Sequence, residues 1–226
     1  MQNFLPKCVS RITANDFLFI DAASSHAIRK PIKNLSLVER YEILDALDNK
    51  VANLIINSSN ILTISQYLYF FILVRKALYP HPIRDMATID YVASVLCDSV
   101  STANAFRTAI SGDRVHYYIS DMIRKLERIS SVTEKFILTV QLANQTLLIT
   151  GIFPDYLTAR VRHKGAPSLS FYEKIGQSQF LSAKDYQLAH DYDLTLIFDF
   201  LGSKFPDIRR SLNQLSDQYL MLGDPM

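Results

Sequence analysis

Apolar positions recur at intervals of three and four along most of this chain, and helix start and stop signals bracket the runs. Ser36-Leu-Val-Glu39 has the form of a capping box, in which the Ser oxygen accepts from the N3 amide and the Glu reaches back. Tyr41, Leu44, Leu47, Val51 and Leu54 follow at helical spacing. Asn60 is placed to cap the next helix, which must stop before Pro80 and Pro82. Thr88 opens a segment with Val92, Leu96 and Val100 on one face, and Gly112 ends it. From Asp113 the positions Val115, Tyr118, Met122, Leu126 and Ile129 repeat in the same way.

Ser131-Val-Thr-Glu134 is a second capping box, with Gly151 as the natural stop. Phe153-Pro154-Asp155 reads as a helix start with Pro in the first turn, closed by Gly165 and Pro167. Ser170-Phe-Tyr-Glu173 is a third box, and Ser182-Ala-Lys-Asp185 starts a helix that runs to Gly202. Pro206 starts the last helix, whose apolar positions Phe205, Ile208, Leu212, Leu215, Tyr219 and Leu222 form an unbroken stripe. The pattern predicts an all-α, single-domain multi-helix bundle of about nine helices over residues 36–226, with a minor joint near 165–168. Residues 1–35 are read as an extended or short-strand N-terminal arm, because Phe17-Leu-Phe-Ile20 is a compact apolar run.

Composition agrees with a packed, globular chain. Of the 226 residues 49% are aliphatic, aromatic or Cys and 20% are charged, which excludes a disordered chain. Six Gly and eight Pro supply too few turns for a many-stranded β-architecture. Val51–Val74 and Phe136–Pro154 carry no charge, but Asn, Ser and Gln interrupt the first and Gln141, Asn144 and Gln145 the second. They read as buried helices and not as membrane spans, which need about 20 mostly apolar residues. Cys8 and Cys97 fit no metal or redox spacing, and the N-terminus lacks the form of a signal peptide. Both features suit a cytoplasmic protein, with a single disulfide as the lesser alternative.

The net charge of +2 gives no global field, so electrostatic binding must come from a local patch. Arg160, Arg162, His163 and Lys164 fall within five residues, just before a Gly-Ala-Pro break. An Arg fork matches phosphate or carboxylate, and a following helix N-terminus would add free amides. With Tyr172 this segment is the candidate anion site, although basic residues in a last turn also complement the helix dipole. Arg124, Lys125 and Arg128 form a second basic cluster, which Asp121 and Glu127 make look like a solvated helix face. If the two clusters share a face they make a patch of nucleic-acid type.

On a continuous helix over 183–201, Asp185, Asp191, Asp193 and Asp199 spread over one half of the circumference and His190 lies in the apolar half. That acidic face is a candidate interaction surface for a basic partner. Asp191-Tyr-Asp193-Leu-Thr195 fits the D-x-D-x-T signature of haloacid-dehalogenase-type phosphohydrolases, which need the first Asp at the end of a strand. Here helix precedes it, and the match is set aside. No phosphate-binding Gly-rich loop, H-E-x-x-H or Glu-x-x-His pair occurs, so no metal or cofactor is expected.

The expected function is therefore a non-catalytic helical binding or regulatory protein, through a protein partner or self-association; the terminal stripe is read as core first and as a dimer seam second. An anion-binding protein for a phosphorylated small molecule or a nucleic-acid backbone is the first alternative. An enzyme with a pocket between helices is the second, and no residue is assigned a catalytic role.

Overall fold

The computed structural model describes residues 5, 7–24, 28, 31–57, 64–79, 85–101, 114–164 and 166–220. Among the described residues there are thirteen α-helices and no strand. The chain is all-α, as its pattern predicts, but with more and shorter helices than the nine expected. It divides into two compact units, Pro6–Asp98 and, in the main, Ser99–Met226.

In the first unit α1 (Cys8–Arg11) and α2 (Ala14–Ala23) occupy the segment expected to be an extended or stranded arm. The physical reason is a capping box at Thr13-Ala-Asn-Asp16. Thr13 Oγ1 accepts from the Asp16 amide, and the Asp16 carboxylate accepts from the Thr13 amide at 2.7 Å. Phe17 and Ile20 therefore lie on one face of a helix, both fully buried. Asp16 also accepts from the Ser65 amide at 2.7 Å, tying the start of α2 to the start of α5 (Gln66–Leu78).

The box at Ser36 and Glu39 starts α3 (Leu37–Asp45), and α4 (Asn49–Asn57) follows. The Arg75 guanidinium of α5 donates to the carbonyl of Asp45, the last residue of α3, and to that of Leu47 just beyond it. Ser65 caps α5, while Asn60 lies outside the described residues. Asp85 accepts from the Thr88 amide at the start of α6 (Met86–Ser101), so the start signal is Asp85 and not Thr88.

In the second unit α7 (Arg114–Arg128) precedes the long helix α8 (Val132–Ile152), which Ser131 caps as expected. Gly112 and Asp113 lie outside the described residues. Helices α9 (Pro154–Lys164), α10 (Leu169–Ala183) and α13 (Phe205–Leu215) pack on α8 with α7, and α10 also packs on α12 (Thr195–Ser203). Buried Thr139, Thr146 and Thr150 in α8 donate to carbonyls one turn back, at 2.6–3.0 Å. Their hydroxyls are thus satisfied without a partner outside the helix. Among the described residues no single helix is long and apolar enough to cross a membrane; α8 and α9 as far as Arg162 pass that test only as a pair bent by 85°.

Three expectations in this unit are corrected. The cap of α10 is Ser168, not Ser170, and Glu173 instead pairs with Arg209 of α13 at 2.7 Å. The helix read as continuous over 183–201 is α11 (Gln187–Asp191) and α12, separated by a turn at Asp193 with φ of 55°. His190 consequently sits exposed in the last turn of α11 and not in an apolar face. The terminal stripe, by contrast, is core as first read: Phe205, Ile208, Leu212 and Leu215 are all buried.

Candidate anion-binding surface

Helix α7 carries its two kinds of residue on opposite sides. Ile119 and Met122 are buried with Leu138, Leu142 and Ile149 of α8, Leu157 of α9 and Tyr172 of α10, and Ile123, Leu126 and Ile129 pack against that cluster. Asp121, Arg124, Lys125 and Arg128 stand at i, i+3, i+4 and i+7, the spacing of a single helix face. All four are exposed. The stripe extends over about 10 Å of helix.

These four residues and Ile129 line a surface cavity of about 370 Å³. Three cations face one carboxylate there, and Asp121 forms an ion pair with Arg124. Lys125 and Arg128 stand in the last turn, where the helix dipole favours positive charge. The dipole keeps the cations in place but neutralises little of their charge at the tips of long, exposed side chains. An anion of phosphate size entering the cavity would meet two guanidinium forks and an ammonium.

The segment that the sequence singles out is arranged differently. Arg160 is half-buried, donates from a guanidinium nitrogen to the Tyr156 hydroxyl at 2.9 Å, and lies 5.6 Å from the centre of that ring. Tyr172 is fully buried. Burial pushes its phenol above the ordinary value of 10.0, while the nearby Arg160 charge pulls the other way. Arg160, Tyr156 and Tyr172 therefore form one aromatic and cationic cluster. Arg162 is exposed on the same helix, and the side chains of His163 and Lys164 lie outside the described residues.

The four aspartates fall on different elements. Asp185 is exposed in the turn after α10, Asp191 ends α11 and accepts from Gln187 at 2.8 Å, and Asp193 forms the positive-φ turn. Asp199 on α12 is ion-paired with Lys184 at 2.6 Å, which raises the Lys184 ammonium above its ordinary value. Asp191 of the D-x-D-x-T pattern closes a helix, and no strand precedes it among the described residues. Among the described residues no group of three His, Cys, Asp or Glu side chains is placed to hold a metal ion.

No protein-family model matches the chain, and no curated protein or solved structure is found similar to it. A functional reading therefore rests on the surface itself. The basic cluster on α7, read from the sequence as a solvated helix face, lines this cavity. Its signal was present in the spacing of residues 121, 124, 125 and 128, which puts three cations on one helix face.

Proposed function

We propose that this chain is a helical binding protein whose ligand bears phosphate, and that Arg124, Lys125 and Arg128 are its principal contacts. The observation that carries this reading is the surface cavity of about 370 Å³ in which those three cations outnumber the single carboxylate of Asp121. Phosphate oxygens are recognised by guanidinium forks and ammonium groups, and three cations within about one helical turn suit a ligand with more than one phosphate. Arg160, Arg162, His163 and Lys164 are proposed as a secondary contact for the same class of ligand; Tyr172 is buried and is not a contact. Asp185, Asp191 and Asp193 are proposed as an acidic surface for a basic protein partner.

Calorimetric titration of the full chain with tripolyphosphate, and with a single-stranded oligonucleotide of about twelve nucleotides, tests this. We expect binding of at least one probe at low salt. For the oligonucleotide, about three phosphate contacts predict that affinity falls on the order of tenfold between about 50 and 200 mM salt. The Arg124→Ala/Arg128→Ala variant should bind about tenfold more weakly or worse, since two exposed charge contacts are removed. Absence of binding by both probes at low salt, or equal binding by the variant, would overturn the reading.

A further inference from the structure

The two cysteines of the chain are 89 residues apart in sequence, and the fold brings them together. Helix α1 has only four residues, so nearly all its amides lack partners within the helix. Asp90, Ser94 and Cys97 lie at i, i+4 and i+7 on α6, one face of that helix. The Ser94 hydroxyl accepts from the amides of Lys7 and Cys8, both at 2.8 Å, and the Asp90 carboxylate accepts from the Val9 amide at 2.9 Å. The start of α1 is thereby docked on α6 in a fixed register. The next position along that face is Cys97, whose sulfur stands 3.7 Å from the sulfur of Cys8. Both side chains are buried and neither is in a disulfide.

We propose that Cys8 and Cys97 are a reversible dithiol–disulfide pair which, when oxidised by a small-molecule disulfide, staples α1 to α6. The sulfurs need to approach by only about 1.7 Å to reach bonding distance, and the register that sets their approach is already made. The hydrogen bond with the Cys97 thiol, together with burial, pushes the Cys8 thiol well above its ordinary range, so the closed pair is unreactive. Exchange passes through local opening of the four-residue helix. The Cys8 thiolate attacks one sulfur of the external disulfide, forming a mixed disulfide and releasing one thiolate, which takes up a proton. On reclosing, Cys97 loses its proton and attacks the Cys8 sulfur, and the second external thiolate leaves. Two protein thiols are oxidised and one external disulfide is reduced to two thiols.

The test is prolonged incubation of the folded full chain with oxidised glutathione, followed by iodoacetamide, intact mass and peptide mapping. The expected product is lighter by two hydrogens, carries no alkyl group, contains a peptide pair joining Cys8 to Cys97, and reverts with dithiothreitol. Its thermal midpoint should rise by about 5 °C or more, because the closed loop is long. In the Cys97→Ser variant the glutathione adduct on Cys8 should persist, since no second thiol resolves it. If that variant does not fold, the wild-type map decides alone. Two alkylated cysteines, separate glutathione adducts on the wild type, links only between chains, or an unchanged midpoint would overturn the proposal.

Discussion

A methyl group added at residue 176 would stand 2.3 Å from two ring carbons of Phe205 and 2.8 Å from the hydroxyl of Thr146. Gly176 is therefore a point of close approach of α10 to α8 and α13, and its missing side chain is what permits that approach. Gly176→Ala is predicted to lower stability by about 2 kcal/mol, through displacement of an aromatic ring that is itself fully buried. Chemical denaturation measures this, and a change below about 0.5 kcal/mol would contradict the packing account. Sequence alone placed Gly176 in a helix but could not give it this role, because the neighbour lies 29 positions away in the chain.

Asp90 gives a second prediction at the same scale. It is fully buried and accepts from the Tyr41 hydroxyl at 2.8 Å as well as from Val9. Burial raises its carboxyl above the ordinary 3.8, against the opposing effect of those hydrogen bonds. The folded state thus holds the Asp90 proton more tightly than the unfolded state. Its contribution is full below the ordinary value and is lost as pH rises through the raised one. The difference in unfolding free energy between wild type and Asp90→Asn should accordingly decline as pH rises from about 4 towards neutrality. A difference that stays flat or grows over that range would show that burial does not dominate.

At the scale of elements, helix signals in sequence succeeded where a cap and several turns followed, and failed for short pieces. The boxes at Ser36 and Ser131 start α3 and α8 where they were read. Helices of four or five residues such as α1 and α11 are too short for periodicity to register. The 183–201 segment shows why. Its apolar spacing continues through the break, but Asp193 takes a left-handed backbone conformation that ends α11 and re-aims α12. Asp tolerates φ of 55° better than most residues, and a β-branched side chain does not. Asp193→Val should cost about 1–2 kcal/mol while Asp193→Gly costs nothing measurable. Equal effects of the two substitutions in thermal or chemical unfolding would contradict this origin of the break.

At the scale of the molecule, the all-α class was legible because capping residues and a three-four period recur from residue 36 onward. Its division into two compact units was not, since no shift of composition marks residue 98 and α6 runs across it. The candidate surface was half legible. Both basic clusters are visible in sequence, yet only the fold shows that Arg160 is engaged with Tyr156 while Arg124, Lys125 and Arg128 line a cavity. With 24 basic and 22 acidic residues the chain has little long-range field, so anion recognition must be local and short in range. The most direct test is an amide NMR titration of the isotopically labelled full chain with tripolyphosphate and, separately, with the oligonucleotide at low salt. The account predicts that the largest shift changes fall on residues 121–129. Changes centred on any other segment, or no changes at all, would contradict it.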